Sequence, residues 1–469
     1  MTSRRQFLAS SAAALAAPAG HPPNVLVLFA DDQRFNTIHA LGNPEVRTPA
    51  LDRLAATGVS FDRAHIMGGN SGAVCIASRA MLLTGQTLFH SMANVHGPVE
   101  REKQFTLIGE HFRNSGYQTF GTGKWHNPPR LFNRCFESGG SIFFGGMTDQ
   151  SRIPVQDYDP AAAYGRQRQR IAEKPSSELF ADEAIDFLKN RDPKRPFFLY
   201  TAFTSPHDPR TAPNAYREMY SADRIQLPAN FMGQHPFDNG ELKVRDELLA
   251  GFPRSPNEVC HHIADYYAMI THLDTQVGHI LEALRESGQD KHTIVVFAGD
   301  NGLALGQHGL MGKQNLYDHS VRVPLVLSGP GIPKGQRRQS LAYLLDLFPT
   351  LCDLTSTKTP ATVEGVSLQP AIHSSKTTAR QDLFLSYRHF QRGLTDGEWK
   401  LILYNVGGTV TTQLFMLKED PLETENLAQV PEAKPQIQKM TARLKEWMKK
   451  AGDPLDLDKP AWGYTPPRA

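Results

Sequence analysis

The sequence has little cysteine, almost no net charge and no apolar segment long enough to form a permanent membrane span. Its 469 residues include four cysteines, which are too few and too scattered for a disulfide framework and lack the spacing of a zinc site. Basic and acidic residues number 50 and 48, so the net charge of +2 gives no indication of nucleic-acid or anionic-membrane binding. Any preference for an anion must therefore arise from a local site.

The N-terminus has the pattern of an export signal. Arg4 and Arg5 precede an apolar run over residues 8–17, which is too short to cross a bilayer as a permanent helix. Small residues at 17–19 offer a cleavage site. We therefore predict a twin-arginine signal peptide over residues 1–19, recognised by the twin-arginine export machinery, and a bacterial periplasmic or secreted protein.

The rest of the chain predicts an α/β fold with a mostly parallel central sheet sandwiched by helices. Apolar runs at 24–30, 196–203 and 293–298 are typical of strands buried on both faces, and residues 176–189 and 258–286 have helical patterns. A short strand is predicted at 118–120, and residues 127–175 are predicted to be a long irregular insertion. The alternating pattern of predicted strands and helices fades after about residue 375. We expect a catalytic domain over residues 20–380 and a small C-terminal α+β subdomain over residues 381–469. That subdomain should contain antiparallel strands at 394–404 and 413–417 and a helix at 432–450.

Polar residues suited to catalysis or metal binding follow several of the predicted strands. Asp31 and Asp32 end the first strand, and Asp300 and Asn301 end the strand at 293–298. Ligands of open α/β sheets gather at the carboxyl ends of strands. Adjacent carboxylates repel each other unless a cation or strong donors compensate, although a helix N-cap with a first-turn acid also explains such a pair. Asp300-Asn301-Gly302 is also compatible with a simple turn.

Cys75 is predicted to lie at the N-terminus of a helix. Free backbone N–H groups and the helix dipole favour an anion there, and Arg79 lies on the same helix face. A nucleophile, a helix N-terminus and a guanidinium together would suit a tetrahedral oxyanion ester. A buried cysteine with a surface arginine nearby is the alternative.

Several motifs resemble those of type I sulfatases in the alkaline phosphatase superfamily. The resemblance rests on Cys75-Ile76-Ala77-Ser78-Arg79 with Leu83-Thr84-Gly85, on Gly123-Lys124-Trp125-His126, on Pro206-His207, on Asp300-Asn301-Gly302, and on the first strand with its two aspartates. In that family a maturase oxidises the cysteine to formylglycine, whose hydrated form attacks sulfur and later expels sulfate. Ala77 replaces the usual proline of the motif, which leaves open which formylglycine-generating maturase reads the site.

The resemblance implies a role for each matching residue. Asp31, Asp32, Asp300, Asn301 and the residue derived from Cys75 would hold a divalent cation, for which the family points to Ca²⁺ and Mg²⁺ is the alternative. Their oxygen donors suit either ion. Arg79, Lys124 and Lys313 would bind sulfate, His126 would act as the base, and His207 as the acid at the leaving oxygen. Arg210, Arg388 and His389 are further candidates for substrate contact, as are Asp208 and Arg392.

The resemblance implies a sulfuric ester hydrolase acting on sulfate monoesters, with a sulfated carbohydrate as the expected substrate. A phosphodiester or phosphonate monoester hydrolase of the same superfamily is the alternative. A cysteine hydrolase that pairs unmodified Cys75 with His126 or His207 is a further alternative, and it predicts resistance to chelators. A non-catalytic exported binding protein is the last one, and it would bind its ligand without turnover.

Overall fold

The computed structural model describes residues 22–465, so the predicted signal peptide over residues 1–19 lies outside the described residues. Within that range, eight strands form a central sheet. In spatial order they are β11 (Gln336–Tyr343), β2 (Gly58–His65), β10 (Leu325–Ser328), β9 (Thr293–Gly299), β1 (Asn24–Ala30), β8 (Phe197–Ala202), β4 (Gln118–Lys124) and β5 (Ser138–Phe143). Every strand of this described sheet except β10 runs in one direction. The expected α/β fold with a mostly parallel sheet is confirmed.

Helices cover both faces of this sheet. The α-helices of the described range are α1 (Pro49–Ala56), α2 (Val74–Thr84), α3 (Leu88–Val95), α4 (Ile108–Asn114), α5 (Phe132–Cys135), α6 (Ser176–Asn190), α7 (Asn214–Arg217), α8 (Pro256–Glu286), α9 (Asp318–Val321), α10 (Leu347–Leu354), α11 (Gln369–His373) and α12 (Lys434–Ala451). None of them is both long and apolar enough to cross a bilayer.

Strand β1 shows how the sheet is buried on both sides. Its side chains alternate, so Leu26 and Leu28 pack in one core with α1, α6 and α8. Val25, Val27 and Phe29 pack in the other core with α2, α4 and α10. All seven residues of β1 are buried, which explains why the strand has a continuous rather than an alternating apolar pattern.

A second sheet forms the C-terminal part of the molecule. Its order is β15 (Thr409–Met416), β14 (Trp399–Val406), β13 (Gln391–Thr395), β12 (Leu383–Tyr387) and β3 (Gly68–Gly69). Strand β3 comes from the N-terminal part of the chain and pairs with β12 in parallel. The predicted subdomain therefore takes one strand from outside residues 381–469, and that strand lies shortly before Cys75.

Three local predictions were wrong. Residues 127–175 are not irregular, because they contain α5, the edge strand β5 of the central sheet, and the hairpin of β6 (Ile153–Val155) and β7 (Arg170–Ala172). Strand β4 continues to Lys124 rather than ending at residue 120. Residues 394–404 contain the end of β13, a turn and most of β14 rather than one strand. In β4 and β5 glycines weaken the apolar pattern. Glycine is required at position 123, because a Cβ atom there would lie 1.9 Å from the carbonyl oxygen of Ala202.

Candidate active site

The ends of β1 and β9 bring four oxygen-bearing side chains together. The two strands pair in parallel, which places Asp31 and Asp32 beside Asp300 and Asn301. The backbone N–H of Asp300 donates to the carbonyl of Ala30 at 3.0 Å, and that of Asp32 donates to Asp300 Oδ1 at 2.9 Å. The backbone at the carboxyl ends of β1 and β9 therefore fixes the positions of both pairs of side chains.

Three cations compensate the buried carboxylates. Arg79 Nε and Nη2 lie 3.0 and 2.9 Å from Asp300 Oδ2, and Lys313 Nζ lies 2.6 Å from Asp32 Oδ1. Lys124 forms an ion pair with Asp31. The pKa of Asp31 is nevertheless well above its usual value, because burial and the neighbouring Asp300 both disfavour its charged form. The cluster retains an excess of buried acceptors, which favours a further cation.

The residues present fit a divalent cation. Asp31 Oδ1 and Asn301 Oδ1 are buried and have no hydrogen-bond partner among residues 22–465. Asn301 Nδ2 donates to Asp32 Oδ1 at 2.7 Å, so the amide oxygen is the atom left over. Ligand atoms of Asp31, Cys75 and Asp300 all lie within 4.8 Å of one another. Oxygen ligands of this kind suit Ca²⁺ or Mg²⁺.

Cys75 is the second residue of α2 and lies against two site residues. Its Sγ is 3.3 Å from His126 Nδ1 and 3.7 Å from Lys124 Nζ, and the residue is buried. Arg79 lies one turn later and also donates to the Lys124 carbonyl at 2.6 Å. The helix therefore places Cys75 and Arg79 on one face, as the spacing predicted. Burial raises the pKa of the Cys75 thiol, so the unmodified residue is a poor nucleophile near pH 7.

The two histidines approach the site from different strands. His126 follows β4 and has a φ of 52°, and Asp32 after β1 has a φ of 62°. Such backbone conformations are costly for residues other than glycine and are concentrated at functional sites. His207 follows β8, and its Nδ1 lies 2.8 Å from the carbonyl of Asp208 while its Nε2 lies 3.6 Å from Asp32 Oδ2. Burial and nearby lysines lower the pKa of both imidazoles, so both are neutral near pH 7.

A cavity of about 340 Å³ opens onto these groups. This volume is within the range of small-molecule sites, roughly 300–1,000 Å³. The cavity is lined by Gly72, Ala73, Cys75, His126, Gly146, Met147, His207, Val244, Arg245, Asp246, Lys313 and Gln314. Sequence reasoning missed Met147, Arg245, Asp246 and Gln314. Their segments have weak periodicity and no motif, so the sequence contains no signal that would have identified them.

The weaker candidates lie away from this lining. Arg388 pairs with Glu241, and the His389 ring stacks on Tyr464 with centroids 3.6 Å apart. Arg392 is only 1% exposed and forms an ion pair with Asp453, so the idea that it reaches a substrate was wrong. The Arg392 side chain therefore connects β13 to the segment that follows α12.

Asp208 and Arg210 are closer to the site than Arg388, His389 and Arg392, and Asp208 Oδ1 lies 3.3 Å from His207 Nδ1. The contacts of Arg210 are less direct. Its Nη1 lies 3.0 Å from His262 Nδ1. Burial lowers its pKa, although the charges of Asp208 and Asp32 act in the opposite direction. Arg210 therefore stays a candidate beside the cavity.

Comparison with known proteins identifies the family. A family model described as sulfatase matches residues 23–357, and one described as N-sulphoglucosamine sulphohydrolase, C-terminal, matches residues 306–450. The chain belongs to the sulfatase family. It is a sulfuric ester hydrolase, and members of this family generally use formylglycine and a divalent metal. An arylsulfatase of Clostridium perfringens is 28% identical over 451 residues, covering 88% of this chain and 92% of the relative.

Solved structures agree on the fold of this sulfatase. An enzyme in complex with its substrate D-glucosamine-2-N,6-O-disulfate superposes with a TM-score of 0.76 at 20% identity, covering 95% of this chain and 100% of the other. A phosphonate monoester hydrolase of Agrobacterium radiobacter superposes with a TM-score of 0.73 at 22% identity, covering 92% and 96%. Since both share the architecture, the fold alone does not select the ester.

Proposed function

We propose that the enzyme hydrolyses sulfate monoesters of carbohydrates, using formylglycine made from Cys75 and a bound Ca²⁺, with Mg²⁺ as the alternative ion. The observation that carries the proposal is the contact of Cys75 with His126 and Lys124 beside four buried oxygen ligands. The sugar part draws support from the C-terminal family model and from the sugar substrate of the solved relative.

The cation would be held by Asp31, Asp32, Asp300, Asn301 and the residue derived from Cys75. When bound, it would lower the pKa of the attacking hydroxyl and offset negative charge on the transferring sulfuryl group. The two unpartnered oxygens, Asp31 Oδ1 and Asn301 Oδ1, support this assignment.

Three fixed cations are assigned to the sulfate oxygens. Arg79, Lys124 and Lys313 are all buried, and each is already oriented by a carboxylate. Positive groups held in a dry site stabilise developing negative charge without reorganisation during the reaction. They would therefore bind the sulfate group and stabilise its transition state.

The two histidines are assigned to proton transfer. His126 presents Nδ1 to the Cys75 side chain, so it is the group placed to take a proton there. His207 has its Nδ1 against the carbonyl of Asp208, so its Nε2 is the atom available to the leaving oxygen. Because burial and nearby lysines lower the pKa of both imidazoles, His207 must first acquire the proton that it donates to the alcohol.

The phosphonate or phosphodiester hydrolase is the second candidate, because a solved phosphonate monoester hydrolase has the same fold. Comparing kcat/KM for p-nitrophenyl sulfate with that for bis(p-nitrophenyl) phosphate and p-nitrophenyl phenylphosphonate separates the two. A clear preference for the phosphorus esters would replace the sulfatase proposal by this one. The cysteine hydrolase receives no support, since burial raises the pKa of Cys75.

Export also belongs to the proposal. The twin-arginine pattern supports a periplasmic or secreted enzyme that a formylglycine-generating maturase modifies and the twin-arginine machinery transports. Fusing residues 1–21 to a reporter, with Arg4 and Arg5 changed to Lys as the control, tests it. Export of the wild-type fusion and its loss in the control is the expected result.

The deciding experiment is the mass of the peptide that contains Cys75, from protein made together with a competent maturase. Replacement of the thiol by an aldehyde, together with sulfatase activity, is the expected outcome. An unmodified thiol in fully active protein would overturn the formylglycine proposal. Cys75→Ala supplies the inactive control for background hydrolysis.

A further inference from the structure

Part of the cavity wall is not used by the sulfate-binding groups. Met147, Val244, Arg245, Asp246 and Gln314 form this part, which we call the outer wall. Val244, Arg245 and Asp246 come from one segment between α7 and α8, and Gln314 directly follows Lys313. The leaving group of the ester must contact these residues, because the inner end is filled by the sulfate-binding groups.

The segment that carries Arg245 is locked to the loop that carries Lys313. Glu247 is only 2% exposed and accepts the backbone N–H groups of Met311 and Gly312 at 2.8 and 2.9 Å. It also forms a buried ion pair with Arg254. The outer wall is therefore built before substrate binds, as a specificity site requires.

Arg245 is held in one orientation at this wall. Its Nη1 and Nη2 donate to Asp208 at 2.5 and 2.9 Å, and Nη2 also donates to Asp246 Oδ1 at 2.7 Å. Its side chain is 46% exposed, whereas those of Asp208 and Asp246 are 8% and 13% exposed. The guanidinium is thus the more accessible group, and the two aspartates fix it.

The charges at the outer wall balance. Arg245 and the neighbouring Arg210 carry two positive charges, and Asp208 and Asp246 carry two negative charges. A second anion on the substrate would meet no excess of positive charge. To bind Arg245 through two parallel hydrogen bonds, it would have to displace Asp208 from the Nη1–Nη2 edge or Asp246 from Nη2. Neutral hydroxyl groups can instead donate to Asp246 and accept from donors of Arg245 that the carboxylates leave free.

The remaining part of the wall is apolar. Met147 is 48% exposed, and Val244 lines the same cavity. Such groups suit the C–H face of a sugar ring, with a few polar groups to fix its orientation.

We propose that the outer wall binds an uncharged sugar ring as the leaving group and selects against a leaving group that carries a second negative charge. This inference rests on the proposed sulfatase function. It assigns Arg245 and Asp246 to recognition of the sugar hydroxyls.

Two aryl sulfates that differ in charge test the selection. The probes are 4-carbamoylphenyl sulfate and 4-carboxyphenyl sulfate, and the quantity is the ratio of their kcat/KM values, neutral over anionic. Each variant's ratio is divided by that of the wild type, which cancels the intrinsic reactivity of the two esters. Asp246→Asn removes a negative charge and should lower the ratio about fivefold, the effect of one unit charge in a partly solvated site. Arg245→Ala should raise it by a similar factor.

Two further variants separate recognition from folding. Met147→Glu adds a negative charge at an exposed position of the outer wall and should also raise the ratio. Arg285→Ala removes a positive charge from an exposed residue outside the cavity lining and should leave the ratio unchanged. Circular dichroism and the melting temperature check that each variant is folded.

The outcomes distinguish the two levels of inference. Ratios that do not move in Asp246→Asn, Arg245→Ala and Met147→Glu, or that move in the opposite direction, overturn the charge selection while leaving the sulfatase proposal intact. A wild type that carries formylglycine at position 75 and hydrolyses neither these esters nor sulfated monosaccharides overturns the proposed function, and this inference with it.

Discussion

The inner end and the outer wall of the same cavity are built in different ways. The inner end comprises Asp31, Asp32, Asp300 and Asn301 with the three cations proposed to bind sulfate, and it lies where parallel strands end. The outer wall comes from segments without regular strands, and side-chain ion pairs and Glu247 hold it in place. The central sheet therefore positions the proposed catalytic residues, whereas the proposed specificity residues lie on loops, which vary more readily than the sheet.

The largest effect is expected from breaking the inner end at Asp300. Asp300→Ala removes a proposed cation ligand and leaves Arg79 buried without its main partner. We expect kcat/KM on p-nitrophenyl sulfate to fall by at least about 10³-fold, as when a preorganised electrostatic group is lost. Metal content and activity are measured together. Asp290→Ala, at an exposed position, is the control, and wild-type turnover in Asp300→Ala would refute the metal assignment.

Removing the cation should also affect only the inner end. Treatment with a chelator should abolish turnover and lower the melting temperature, and added Ca²⁺ should restore both. A ligand present at 100 times its Kd stabilises the folded state by about 2.7 kcal/mol. Differential scanning calorimetry with and without Ca²⁺ measures this shift. Full activity after exhaustive chelation contradicts the prediction and favours the cysteine hydrolase.

His207 should link the two ends, because we assign it to protonation of the leaving oxygen. His207→Ala is expected to lower kcat by about 10²–10⁴-fold on an alkyl sulfate, whose alkoxide is a poor leaving group. The loss should be much smaller on p-nitrophenyl sulfate, since p-nitrophenolate leaves without protonation. Steady-state rates on the two esters measure the difference. Equal losses on both would remove His207 from the acid role, and His39→Ala at an exposed position is the control.

The smallest effect concerns the attachment of the outer wall to the inner end. Burial raises the pKa of Glu247 from its ordinary value of 4.5 to about 6. Because the folded state binds this proton more tightly, the contribution to stability is present below about pH 4.5 and is lost as pH rises through about 6. The difference is worth about 2 kcal/mol. Denaturant unfolding between pH 4 and 7 should show this decline in the wild type.

Glu247→Gln should lessen that decline by about 2 kcal/mol, because the amide does not titrate. Burial also raises the pKa of Asp274 to about 6, so the contribution of Asp274 to the decline should remain. The exposed Glu286→Gln is the matched control and should retain the decline. An identical pH profile for Glu247→Gln and the wild type would contradict the assignment.

Some elements could be predicted because one local pattern decided them. Strands β1 and β9 have continuous apolar runs, which predict burial on both faces of a sheet. Helix α8 has apolar residues at helical spacing over 31 residues, which predicts one buried helix face. The predicted inner-end residues do meet, because parallel strands carry their carboxyl ends to one edge. Their roles stay predictions that the experiments above test.

Other elements could not be predicted because distant contacts decide them. Strand β5 contains two glycines and has little apolar pattern, yet it pairs with β4 and packs against α6. Strand β3 has two residues and exists only because β12 lies beside it. The β-propensity of these residues does not predict either strand, because pairing with distant strands outweighs local propensity.

The sequence by itself determined the class of fold, the family and the inner residues, because strand burial and the motif spacings are local properties. Only the tertiary structure decided that Arg245, Asp246 and Gln314 face the same cavity as Cys75, since contacts between segments far apart in the chain create that wall. It also decided that Arg392 is buried rather than available. Charge compensation depends on distances between side chains, and the order of residues along a chain does not give those distances.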